Sequence, residues 1–325
     1  SGKACDGGAD AEASTAPLTS VVREEERPAM AVIPSDGSRR GFGVNIPGAD
    51  RLVWYFFRVS GIALVVLALG HLFITHYANV PSETTFDFVS KRWANPLWRS
   101  FDWMLLLFAL WHGTLGLRIS INDYIRRDGW RVLASSINWI IAVVITVIGT
   151  ITIVTFDEEM SRNNTGPLSG ELWIADVIGG ALIVISIATY IAVAIGLIWI
   201  IKNLAAGQVP IYNGDTGQYA WIFHRMTGLG ILFFLIIHVI DIMLIGLGRD
   251  IYDEAVHFYG RWYTIPMEVL LVGAVIYHAL NGLRIIAIDF WSKGTHRERQ
   301  MFWIALVGAV LLTVPSAIII ILHEF

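Results

Sequence analysis

Cysteine is almost missing from this chain: Cys5 stands alone among 325 residues. A single thiol excludes a disulfide framework and any iron–sulfur cluster ligated by this chain alone. Charge is scarce too. Only 15% of residues are Asp, Glu, Lys or Arg, against about 25% in soluble domains. The formal charge is −4 and the basic residues are dispersed, which leaves no nucleic-acid surface. No G-x-G-x-x-G or Walker pattern sits on a strand-turn-helix, so a nucleotide site is not indicated. What is abundant is apolar: 55% of the chain is hydrophobic and the mean hydropathy is +0.60. The composition is that of a membrane protein, and any redox chemistry would draw most of its cofactors from partner chains.

Residues 1–50 mix Gly, Ala, Ser, Pro and charges, with Arg23-Glu24-Glu25-Glu26-Arg27 as the one dense run. They lack a signal-peptide h-region and are too acidic for a transit peptide. They read as a flexible cytoplasmic tail, either lying on a partner subunit or simply extended. Seven apolar runs follow, near 52–77, 103–124, 133–156, 173–201, 218–247, 264–288 and 301–322. A bilayer core needs about 20 apolar residues per helix, and each run supplies them. Trp and Tyr gather at the ends (Trp54, Tyr55, Trp98, Trp103, Trp130, Trp221, Trp262, Tyr263), as interfacial belts do. With the N-terminus inside, ten Lys and Arg fall on inner segments and six on outer ones, which favours a cytoplasmic N-terminus and an outside C-terminus.

Two motifs recur. Trp111-His112-Gly113-Thr114-Leu115-Gly116-Leu117-Arg118 returns 166 residues later as Tyr277-His278-Ala279-Leu280-Asn281-Gly282-Leu283-Arg284. Each copy is followed, eleven residues after the histidine, by an aspartate, Asp123 or Asp289. On the preceding helices, Arg58-Val59-Ser60-Gly61 then His71 matches Arg225-Met226-Thr227-Gly228 then His238. The expected fold is therefore all-α, with two parallel three-helix units at 51–156 and 215–325. An odd number of spans per unit demands one extra crossing between them, supplied within 157–214 by the run at 173–201. That makes seven transmembrane helices.

A histidine in hydrocarbon is a site hypothesis by default. His112 and His278 lie about 16–18 Å along their helices from the inner face, at 1.5 Å per residue. If the two helices face each other the imidazoles meet, and two neutral imidazoles in a bundle suit the axial positions of a b-type haem. Hydrogen bonding across helices is the plainer reading. His71 and His238, about 28–30 Å from that face, can ligate a second haem or join interhelical hydrogen bonds near the outer interface. Gly116 and Gly282, one turn past the central histidines, suit either a porphyrin or plain small-residue packing. His76, His257, His296 and His323 read as interfacial.

Taken together, His278 through Asp289 with Phe223-His224-Arg225-Met226-Thr227-Gly228 resembles the cytochrome b subunit of succinate dehydrogenase. His112 with Asp123-Tyr124 and Arg58 resembles that enzyme's second, smaller anchor. The chain thus looks like two anchors fused through an extra helix, in the cell membrane of a bacterium or archaeon. The resemblance implies haem b held by His112 and His278, and a second haem held by His71 and His238. It implies a quinone site, for ubiquinone or menaquinone, built from Tyr124, Asp123 and Arg225. FAD and iron–sulfur clusters would reside in a flavoprotein and an iron–sulfur partner, with oligomers of the whole complex possible. Trp221 stands where single-haem members carry serine, which alters the quinone surroundings. His224, Arg58, Arg118 and Arg284 are candidates to meet haem propionates, since buried cations need anionic partners.

Two other readings compete. The b-cytochrome anchor of another quinone-linked enzyme, such as a hydrogenase or formate dehydrogenase, would lack the Asp-Tyr end of the second helix. Fumarate reduction would use the same anchor in reverse. A haem-free transporter built on parallel repeats would show polar, broken helices at the midplane, and such residues are scarce here.

Overall fold

The computed structural model describes residues 49–162, 202, 216–262, 264–291 and 294–324. The chain divides into two units, Ser1–Asp50 and Arg51–Phe325. Nine α-helices are found among the described residues: α1 (Ala49–His76), α2 (Phe86–Ala94), α3 (Pro96–Tyr124), α4 (Asp128–Thr155), α5 (Glu158–Arg162), α6 (Thr216–Met243), α7 (Arg249–Tyr259), α8 (Ile265–Phe290) and α9 (Glu298–Glu324). The expected span at 173–201 lies outside the described residues, as do most of the tail and of the 157–214 linker.

Six helices among the described residues are long and apolar enough to cross a bilayer: α1, α3, α4, α6, α8 and α9. Their boundaries follow local chemistry. Asn95 caps α3, its side chain accepting from the Leu97 N–H at 2.9 Å, with Pro96 in the first turn, where a missing N–H costs nothing. Gly248, at φ +142°, makes the turn from α6 into α7, a conformation closed to residues with a Cβ. Pro266 likewise opens α8. Pro315 lies inside α9, and Ser316 beside it donates to the Leu312 carbonyl at 2.6 Å.

In sequence order, α1–α2–α3–α4 runs long, short, long, long, and α6–α7–α8–α9 repeats that order. Within each set the last two long helices pack together, α3 on α4 and α8 on α9; α6 lies at the centre, against α3, α4, α8 and α9. One apolar cluster joins α2, α3, α4, α6 and α7 through Phe86, Trp93, Leu106, Ile145, Val239 and Tyr252. A second joins α8 and α9 through Val272, Ile276, Tyr277, Ala309 and Ile320. The outer faces of α4 and α9 stay apolar, with Val143, Val147, Ile151, Ile304, Leu311 and Ile318 all exposed. Such continuous apolar surface suits lipid and not water. α1 is the least covered of the described spans.

Between helices, small residues and polar hooks replace the hydrophobic effect, which is weak in lipid. A Cβ on Gly149 of α4 would come within 2.8 Å of Leu106 and 3.2 Å of Val239, so glycine there sets the closeness of α4 to α3 and α6. Buried Asn138 of α4 donates to the Thr114 carbonyl of α3 at 3.0 Å. Tyr259 of α7 donates to the buried Asp241 of α6. Burial, and then the Asp241 carboxylate, raise that phenol well above its ordinary pKa, so it stays protonated and keeps donating. Asn138→Ala is expected to cost about 0.6–1.7 kcal/mol, the span of interhelical hydrogen bonds in membranes. Unfolding in mixed detergent, followed by tryptophan fluorescence, measures it; Val143→Ala on the lipid face should change stability by about 0.5 kcal/mol or less.

Candidate functional site

Four histidines form two facing pairs. His112 of α3 and His278 of α8 lie with ring centres 6.3 Å apart and planes at 87°. His71 of α1 and His238 of α6 lie 6.0 Å apart at 70°. Metal–imidazole bonds are about 2 Å and a ring centre lies about 1 Å behind its nitrogen, so two rings on one ion stand about 6 Å apart. Both pairs have that spacing.

The tautomer of the first pair is settled by its neighbours. His278 Nδ1 lies 3.1 Å from the His224 carbonyl oxygen. A carbonyl only accepts, so Nδ1 carries the proton and Nε2 keeps its lone pair. Thr227 Oγ1 stands 3.3 Å from the same nitrogen while donating to backbone carbonyls one turn back. In the other half, Ser60 Oγ donates its one proton to the Phe57 carbonyl at 3.0 Å and accepts from His112 Nδ1 at 3.1 Å. Each ring also lies flat on an aromatic from the first helix: His112 on Phe57 at 4.4 Å, His278 on His224 at 3.9 Å. Phe57 and His224 hold matching places three residues before Ser60 and Thr227.

The Arg-x-[Ser/Thr]-Gly motif thereby gains a physical reason at each fixed position. The hydroxyl engages Nδ1. The glycine makes room: a Cβ on Gly228 would meet His278 Cε1 at 2.8 Å, and one on Gly61 would meet His112 Cε1 at 3.4 Å. The arginine reaches across to the other half. Arg58 Nε donates to Asp289 at 2.7 Å, and Arg225 Nη2 donates to Asp123. Each first helix is thus tied to the second helix of the opposite unit. Gly116 and Gly282 have lesser roles. A Cβ on Gly116 would meet nothing within 4 Å among the described residues, and one on Gly282 would lie 3.6 Å from His224.

At the end of the bundle that carries these clasps, Arg225 lies over the Trp221 ring at 3.9 Å, with Tyr124 5.7 Å away. Its Nη1 is buried and has no hydrogen-bond partner among the described residues. Tyr124 is 63% exposed, so its phenol is open to a ligand from the membrane edge. The matching cluster in the other half is Arg58 over Trp54 at 4.9 Å, with Phe290 against Trp54 at 5.6 Å. His224 Nδ1 is also buried without a partner among the described residues. Arg284 is buried and donates to the Glu298 carbonyl at 3.3 Å; Arg118 is engaged as well.

Recurrence in the sequence points to the four histidines, and the family resemblance to Tyr124, Asp123 and Arg225; the structure brings them into these groupings. Ser60 and Thr227 stand in the recurring motif without a role assigned by it, and neither the crossing of the clasps nor Asp102 is read from the sequence. Asp102 lies 3.6 Å from His71 Nδ1 and is held by the Arg92 fork. The spacing held a signal for it, since Glu268 stands 166 residues on. His76, read as interfacial, pairs with that Glu268 at 2.7 Å.

Comparison with known proteins identifies the family. A family model described as the succinate dehydrogenase/fumarate reductase transmembrane subunit matches residues 43–153 and, separately, residues 206–315. The succinate dehydrogenase 2 membrane subunit SdhC of Mycobacterium tuberculosis is 40% identical over 124 residues, 37% of this chain and 91% of that protein. The succinate dehydrogenase hydrophobic membrane anchor subunit of Halobacterium salinarum is 26% identical over 103 residues, 31% of this chain and 78% of that protein. Matched over more than half its length, the chain belongs to the succinate dehydrogenase/fumarate reductase transmembrane subunit family, and is a multi-pass membrane anchor.

Proposed function

We propose that this chain is the membrane anchor and haem b subunit of a succinate:quinone oxidoreductase, with two anchors fused in one polypeptide. The observation that carries the reading is the pair of facing imidazoles whose Nδ1 atoms are engaged by the first helices, leaving Nε2 for iron. The fusion draws support from the two separate family matches and from relatives that each align with about a third of the chain. In this reading 51–156 and 215–325 are parallel units, and the run at 173–201 supplies a seventh span between them. The N-terminus is cytoplasmic, so the clasp end faces an iron–sulfur subunit, with the flavoprotein beyond it. Succinate oxidation takes place in that flavoprotein and not in this chain.

His112 and His278 hold one haem b near the clasp end, and His71 with His238 holds a second at the far end. When bound, haem supplies one-electron transfer through the bundle. With two imidazoles supplied to each iron by this chain, the haem would serve electron transfer and not oxygen binding. Ser60, Thr227 and the His224 carbonyl keep each inner imidazole in the tautomer that can ligate. His224 Nδ1, Arg58, Arg118 and Arg284 lie in the region that receives the propionates.

Quinone binds at the clasp end against Trp221. Arg225 Nη1, buried and unpartnered among the described residues, donates to a quinone carbonyl and stabilises the negative charge of reduction. Asp123 and the Trp221 ring hold the guanidinium in place. The exposed Tyr124 phenol donates the proton.

In the purified membrane complex, a reduced-minus-oxidised spectrum should show two b haems per chain, both reduced by succinate. His278→Leu should remove one and His71→Leu the other; a complex with no b-type absorption ends this reading. Gly228→Ala should lower haem content more than Gly61→Ala, following the 2.8 Å and 3.4 Å approaches of their Cβ positions to the ligand rings. Tyr124→Phe should slow succinate–quinone turnover about 100-fold, the lower range for loss of a general acid. Succinate reduction of a soluble dye, which bypasses the membrane site, should be unchanged.

A further inference from the structure

We infer that Asp102 is a positioning residue for the far-end histidine pair: it gives His71 an anionic partner that the clasp-end pair lacks, and so makes the far-end iron harder to reduce. The inference rests on the reading that His71 and His238 hold a haem.

Asp102 sits in the second turn of α3 with its side chain 13% exposed. Arg92 Nε and Nη2 bind its two oxygens at 2.9 and 2.8 Å, and the Trp93 indole N–H adds a bond at 3.0 Å. Arg92 is itself 10% exposed and lies over the Trp98 ring at 4.5 Å. A structural ion pair would be complete with that fork. The geometry goes further and sets Asp102 Oδ1 3.6 Å from His71 Nδ1. That nitrogen is buried and has no hydrogen-bond partner among the described residues. If His71 Nε2 ligates iron, Nδ1 carries the proton, and Asp102 is the carboxylate beside it.

The clasp-end pair differs in kind. His278 Nδ1 meets a backbone carbonyl and His112 Nδ1 meets a hydroxyl, both neutral acceptors. A carboxylate behind an imidazole raises the basicity of the ligand. It thereby favours the ferric iron, whose charge is higher. Glu268, at the position matching Asp102, turns instead to His76 at 2.7 Å. The electrostatic bias therefore falls on one ligand of one pair. That bias would work against electron transfer from the clasp end to the far end and favour retention near Tyr124 and Arg225.

The test uses the purified membrane complex, with haem content measured first and each haem then poised potentiometrically through its optical α-band and ferric EPR signal. The far-end haem is the one lost in His238→Leu. One haem per chain in the unaltered complex ends both the two-haem reading and this inference. With two present, Asp102→Asn should favour the ferrous far-end haem about tenfold, a rise of about 59 mV for a one-electron couple. The clasp-end haem should not move, and Asp102→Glu should restore the original value. Arg92→Gln should shift the far-end haem the opposite way, since it leaves the carboxylate uncompensated. A merely structural role would move both variants in the same direction. An unshifted Asp102→Asn complex, or shifts of one sign in both variants, overturns the inference; should Asp102→Asn fail to assemble, the sign in Arg92→Gln decides.

Discussion

An imidazole kept in hydrocarbon has one nitrogen that donates and one that accepts, and both need an occupation. Much of this bundle is arranged to occupy the donor. Ser60 and the His224 carbonyl, both on first helices, take the Nδ1 protons of His112 and His278 on second helices. The first helix is thus a fixture for the second. That requirement explains the hydroxyl and the glycine of a single helical turn, which follow in that order after an arginine that ties the turn to the opposite half. The two first helices differ in setting all the same: α6 lies at the centre, touching helices of both halves, and α1 is the least covered of the described spans.

Charge is managed by the same economy of contacts. Few ionisable side chains enter the spans, and those at the clasp end are paired across the halves, Arg58 with Asp289 and Arg225 with Asp123. An arginine at a membrane edge can otherwise snorkel to headgroups. Here each is held inward by a carboxylate and an indole, Trp54 or Trp221. The far end follows the same rule with other residues: Arg92 neutralises Asp102, and Glu268 pairs with His76. Buried ion pairs seldom add stability over apolar packing, but breaking one is costly. Their value here is to fix geometry: Arg58–Asp289, Arg225–Asp123 and His76–Glu268 tie the two halves, and Arg92–Asp102 ties α2 to α3.

Much of this was legible in the sequence, and for identifiable reasons. Hydropathy and length marked the spans, because lipid demands about 20 apolar residues per helix. The recurrence of His, Arg, Gly and Asp at 166–167 residues marked the positions that meet, because the polar residues of a membrane span are few enough to stand out. Partnership was the hidden part. That Arg58 would reach Asp289 and not Asp123 depends on how the halves face each other, which no spacing within one helix encodes. Ser60 and Thr227 looked like ordinary small polar residues until the rings opposite them were placed. Asp102 carries no mark within its own helix; its burial arises from α2, which brings Arg92 and Trp93 over it.

The two clasps also show where likeness between the halves stops. Trp221, Arg225, Asp123 and Tyr124 answer in turn to Trp54, Arg58, Asp289 and Phe290. Three of the four side chains are the same, and the charge pairing is the same. The difference is a single hydroxyl, on Tyr124 and absent from Phe290. A phenol can donate a proton and a phenyl ring cannot. Both clusters hold an arginine against an indole; in one the phenol is Tyr124 of the second helix, 5.7 Å from Arg225, and in the other it is Tyr55 of the first helix, packed on Trp54 at 5.0 Å. The scaffold therefore repeats, while the proton chemistry proposed for quinone reduction is assigned to the side where Arg225 keeps a buried N–H with no partner among the described residues.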